Sequence, residues 1–176
     1  MYMDTEAIRL RYKPYNVRLL LIGESPPASG KFFYLKSGMT TFTARAFEEA
    51  HGIEFKDQAA FLDYFRACGC YLYDLSHLPV DQLPRKEREE QLQKNVKALA
   101  QRIREAKPSV VAVVLKRIEG YVREALAGSG RNPRLFVLPF PGMGHQKKYI
   151  EMLSSIISGI STCDSHRFAS SKWLWP

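Results

Sequence analysis

The chain has 176 residues, 45% of them hydrophobic and 25% charged, which is the make-up of one ordinary globular domain. No apolar run nears the roughly 20 residues that span a bilayer, and the start, MYMDTEAIRLRYKPY, has early acids and no apolar stretch, so neither a membrane anchor nor a secretory signal is expected. The net charge of +8 points to polyanions, nucleic acid above all, with a solvated basic surface as the alternative; its local groups are Arg9/Arg11/Lys13, Lys116/Arg117, Arg131/Arg134 and Lys147/Lys148.

The elements follow in order. VRLLLIG at 17–23 reads as a first strand. Thr43 to Ala50 reads as a short helix stopped near Gly52. Asp57 caps a second, with Phe61, Leu62 and Phe65 on one face. CYLYDL at 70–75 is a second strand. Residues 85–107 form the clearest helix: Leu92, Val96, Leu99 and Ile103 share a face, and Pro108 ends it. SVVAVVL at 109–115 is the third strand, 117–127 a helix, RLFVLPF at 134–140 the fourth strand, and 146–160 the last helix. Strands that are apolar throughout need cover on both faces. The alternation predicts one α/β domain over 1–176, a three-layer α/β/α sandwich around a four-stranded parallel sheet. Its core runs from about 15 to 160, and 161–176 form a tail without a period.

Open parallel sheets bind ligands at the carboxyl ends of their strands. That rule singles out 23–34, 74–80, 116–117 and 139–148. In the first of these, GESPPASGKFFY, a phosphate-binding loop fails: Phe32 follows Gly30-Lys31 where a Ser or Thr is needed, Ser25 stands where the first Gly belongs, and Pro26 and Pro27 remove two N–H donors. Two readings remain. Glu24 beside Phe32, Phe33 and Tyr34 suits the release of a flat base from a sugar, because a carboxylate stabilises the oxocarbenium ion and orients water while an aromatic stacks on the base. Equally, Glu24 is a surface acid and the aromatics are core.

These residues resemble the uracil-DNA glycosylase superfamily. Gly23-Glu24-Ser25-Pro26-Pro27 resembles its water-activating motif, in the form Gly-Glu-Ala-Pro-Gly of the iron–sulfur branch, with Glu24 in the acid position; the classical branch has its acid where Ser25 stands. Phe32-Phe33-Tyr34 is similar to the segment carrying the base-stacking aromatic. Asp74 lies where the family has an Asn that reads the base edge. Phe140 to Tyr149, FPGMGHQKKY, resembles the second motif and the loop that wedges the duplex. The order and spacing of these motifs cover roughly 17–155.

The resemblance implies a monofunctional DNA glycosylase that hydrolyses the N-glycosidic bond of an extruded damaged or modified base, in repair or in defence against modified foreign DNA. Glu24, with Ser25 beside it and His145 assisting the leaving base, is then catalytic. Phe33, with Phe32 and Tyr34 as alternatives, stacks on the base; Asp74 and Phe140 line its pocket. Lys116, Arg117, Gly142, Met143, Gly144, Gln146, Lys147 and Lys148 meet the DNA. Three departures qualify this. Phe140 replaces the motif His. Asp74 replaces an Asn, and an ionised carboxylate only accepts hydrogen bonds, so it suits a donor-rich base edge better than uracil. Only three cysteines are present, Cys68, Cys70 and Cys163, so no four-cysteine iron–sulfur cluster is expected; no cofactor or metal is expected at all. Reduced thiols, a cytoplasmic, nucleoid-associated location and a monomer complete the expectation.

Each assignment has a plainer counterpart. Asp74 and His77 suit a hydrogen-bonded turn, Met143 a loop tip, Lys116 and Arg117 a solvated helix start, and His145 a solvated loop. A non-catalytic nucleic-acid binder that keeps the fold and a hydrolase of free nucleosides are the competing functions. No lysine is placed as a Schiff-base nucleophile, so strand cleavage is not expected.

Overall fold

The structure, a computed structural model, describes residues 4–160. Four strands, β1 (Leu19–Gly23), β2 (Cys70–Asp74), β3 (Val110–Val114) and β4 (Arg134–Leu138), form one parallel sheet in the order β2-β1-β3-β4. Every residue of β1, β2 and β3 is buried, as the unbroken apolar runs predict. β4 lies at one edge and is only partly covered.

The helices are α1 (Thr5–Arg11), α2 (Gly38–His51), α3 (Gln58–Ala67), α4 (Arg85–Ala106), α5 (Glu119–Ser129) and α6 (Gln146–Ser158), with a 3-10 turn at Lys116–Ile118 before α5. The connection from β1 to β2 runs one way along the sheet, and those from β2 to β3 and β3 to β4 run the other. Right-handed crossovers therefore place α2 and α3 on one face and α4 and α5 on the opposite face. α6 packs on α2 and α5 on α4, completing the α/β/α sandwich.

Local chemistry sets the helix ends. Ser37 accepts the Thr40 N–H at 3.1 Å and starts α2 five residues before the predicted Thr43. Gly52, at φ 65°, stops it as predicted. Asp57 accepts the Ala60 N–H at 2.8 Å and caps α3 as predicted. Leu92, Val96, Leu99, Ala100 and Ile103 are the buried face of α4. Helix α1 has no counterpart in the sequence reading, which begins the core near residue 15. The tail at 161–176 lies outside the described residues. Cys70 is a free, buried thiol, but Cys68 is disulfide-bonded, which corrects the expectation of reduced cysteines.

Candidate active site at the carboxyl ends of the strands

The exits of β1 and β3 lead to opposite faces of the sheet, which makes the ends of these neighbouring strands its switch point, the place where open α/β sheets form their crevice. Glu24 and Arg117 bridge it. Glu24 directly follows β1. Its Oε1 accepts the Arg117 Nε–H at 2.7 Å, and its Oε2 accepts from Nη2 at 2.5 Å. The Glu24 side chain is 9% exposed and that of Arg117 53%, so the carboxylate lies inside and the cation outside. The turn that presents Arg117 begins at Leu115, whose φ of 149° is a conformation β-carbon-bearing residues rarely adopt.

The β1 end is also fastened to β2. Gly23 O accepts the Leu75 N–H and Glu24 O the Ser76 N–H, both at 2.9 Å. Gly23 has to be glycine here, because a β-carbon would sit 2.4 Å from Asp74 Oδ1. Ser25 Oγ accepts the Val80 N–H at 3.3 Å, and Asp81 accepts the Ala28 N–H at 3.2 Å. Ser25 thus braces the loop through a backbone bond.

Asp74 is buried and faces inward. Its Oδ2 accepts from Arg9 Nη2 at 2.7 Å, and Arg9 Nη1 donates to Glu6 at 2.6 Å. The fully buried Arg9 guanidinium lies over the rings of Phe32 (5.2 Å) and Tyr73 (4.9 Å). Burial pushes the Asp74 carboxyl up to about 6, against the opposing pull of Arg9. His77 bonds the Tyr73 hydroxyl at 2.8 Å rather than turning back on Asp74.

Phe33 and Tyr34 are core residues. Phe33 meets Tyr34 and Phe65 edge-on or tilted. One face of Tyr34 stacks on Tyr12 at 5.2 Å, and its hydroxyl is bonded to the backbone of Leu72. Of the five base-binding candidates, Phe32, Phe33, Tyr34, Asp74 and Phe140, only Phe140 is exposed, at 50%.

Phe140 opens the β4–α6 loop. Its ring lies over Gly142, where a β-carbon would come within 3.1 Å of it. Met143 is 99% exposed at φ 51°, and Gly144 follows at φ 86°. His145 begins α6, exposed and without a side-chain partner among the described residues. Lys116, Lys147 and Lys148 are exposed, and Gln146 is half-buried; Lys147 lies 3.8 Å from Glu151.

The structure therefore brings Glu24 and Arg117 together and sets Asp74 beside them but tied to Arg9. Sequence reasoning missed Arg9 and Glu6. Arg9 stood among the basic surface groups and proves wholly buried. The one available signal is the i, i+3 acid–base spacing of Glu6 and Arg9, which exposed helices share. Among the described residues no group of three or more His, Cys, Asp or Glu side chains converges as a metal site would, and no helix is long and apolar enough to cross a membrane. No family model matches the chain, and no curated protein matches its sequence significantly.

Proposed function

We propose that the chain is a monofunctional DNA glycosylase that hydrolyses the N-glycosidic bond of an extruded damaged or modified base. The observation that carries this reading is the placement of Glu24: a nearly buried carboxylate at a strand end, in the crevice of the sheet, paired with a cation. Arg117 donates two hydrogen bonds to that carboxylate. An ionised, partly desolvated carboxylate is what an oxocarbenium-like transition state requires, and it can also orient the attacking water. Phe140 is the exposed ring available to stack on the base. Met143 at the loop tip is the apolar group available to fill the gap in the duplex. Lys116, Lys147 and Lys148 supply positive charge for the backbone. Asp74, tied to Arg9, contributes by holding the β2 end in place.

A second reading, a nucleic-acid binder without catalysis, is favoured by one observation: both acids at the strand ends, Glu24 and Asp74, are paired with arginines.

Base release measured by mass spectrometry separates the two. The panel holds uracil, hypoxanthine, xanthine, alkylated bases and modified cytosines in single- and double-stranded DNA. Release that falls about 10²–10⁴-fold in Glu24→Gln, with no loss of DNA affinity, supports the glycosylase. Tight, salt-sensitive binding without release from any substrate selects the binder.

A further inference from the structure

We infer that Arg117 is the phosphate-binding residue of the crevice, and that in the free protein Glu24 occupies the position a substrate phosphate takes. This rests on the glycosylase reading and gives a physical reason for its substrate to be a nucleoside within a phosphodiester chain rather than a free one.

The first argument is shape. The Arg117 fork holds a carboxylate through two parallel N–H bonds. The same fork fits two oxygens of a phosphate. The second is access. Arg117 is half-exposed and Glu24 nearly buried, so an incoming polyanion meets the cation first. The third is the turn. Leu115, immediately before Lys116–Ile118, is held at φ 149°, and strained backbone of this kind collects at sites that change partners. Exposed Lys116 lies next to Arg117 in the same turn and adds to the local field.

Exchange of partners gives Arg117 a second bidentate ion pair and leaves the nearly buried Glu24 carboxylate without its cation, a charge that the oxocarbenium ion developing beside it offsets. Its product is a Glu24 carboxylate released from its cation next to the sugar whose bond is to break. A free nucleoside, which has no phosphate, leaves Glu24 capped. Arg117 is thus a specificity-determining residue.

The test is DNA binding, read independently of base release. A fluorescently labelled mixed-sequence duplex is titrated by anisotropy over a salt series with wild type, Glu24→Gln, Arg117→Gln and the double variant. Loss of one phosphate contact lowers the slope of log affinity against log salt by about 0.9. Arg117→Gln is expected to show that loss. Glu24→Gln is expected to bind more tightly than wild type, with the gain absent in the double variant. Arg117→Lys is the second variant: it keeps the charge and the slope but loses the fork, and the gain from Glu24→Gln shrinks. An unchanged slope in Arg117→Gln overturns the inference, as does a gain that persists in the double variant; base release in either case leaves the glycosylase reading standing. Absence of both binding and release in the wild type overturns the two together.

Discussion

Arg9 and Asp74, 65 positions apart in sequence, form a buried ion pair at 2.7 Å that locks α1 onto the end of β2. Glu6 shares the guanidinium and also pairs with Arg102 on α4 at 3.1 Å, so the lock spans three elements. Arg9 Nε has no hydrogen-bond partner among the described residues. Removing one member of a buried pair strands the other, at a cost of about 3–5 kcal/mol. Arg9→Met is expected to lower the melting temperature by about 10 °C. Arg9→Met combined with Asp74→Leu is expected to recover much of the loss, because no charge is then left alone. Thermal unfolding of the two variants checks this; a double variant worse than the sum of the singles would contradict it.

Asp74 gives this lock a pH dependence. Its carboxyl is raised in the folded state from the ordinary 3.8 to about 6, chiefly by burial. A raised carboxyl binds its proton more tightly when folded. Its stabilising contribution is therefore complete below about 3.8 and lost as pH rises through about 6. Wild type is expected to lose stability relative to Asp74→Asn between about pH 4 and about pH 6. The comparison cancels the opposing effect of His77, whose pKa burial lowers. Denaturant unfolding at several pH values reads the difference, and a flat difference would rule out the effect.

Tyr34 caps an edge of the sheet. β2 is an outer strand, so Leu72 turns a backbone N–H and C=O away from β1. The Tyr34 hydroxyl accepts the first at 2.7 Å and donates to the second at 3.0 Å. Tyr34→Phe leaves both unpaired in the core at a cost of about 1–3 kcal/mol. Hydrogen exchange at the Leu72 amide is expected to accelerate with the loss. If Tyr34 instead served chiefly to stack on a base, Tyr34→Phe would keep both its stability and its amide protection.

What could be read from the sequence followed the physics of each signal. Unbroken apolar runs located β1, β2 and β3, because strands covered on both faces show no polar alternation, and the apolar run at 134–140 also located β4, although that edge strand is only partly covered. The need for glycine at position 23 shows only in the structure, where the Asp74 carboxylate lies against it. The FFY run was ambiguous in principle: core aromatics and stacking aromatics have the same composition, and only burial separates Phe33 and Tyr34 from Phe140. Arg117 was a candidate for DNA contact, but its pairing with Glu24, 93 positions away, depends on two strands lying side by side. Helix α1 was missed because it is held by an ion pair rather than by an apolar stripe.

Met143 offers the last test, since strain and function make opposite demands there. It is fully exposed, bonded to nothing in the core, and held at φ 51° between Gly142 and Gly144. A left-handed conformation costs a residue with a β-carbon about 1–2 kcal/mol, and glycine almost nothing. Met143→Gly is therefore expected to raise the melting temperature by about 2–4 °C. If the methionine fills the space left in a duplex, the same variant releases base from double-stranded DNA more slowly while single-stranded DNA, which has no gap to fill, is processed as before. The ratio of the two rates, measured beside the melting curve, separates a functional tip from an ordinary one. A stabilised variant with an unchanged ratio would reduce Met143 to a strained loop residue, and the wedge would then have to be sought in Phe140.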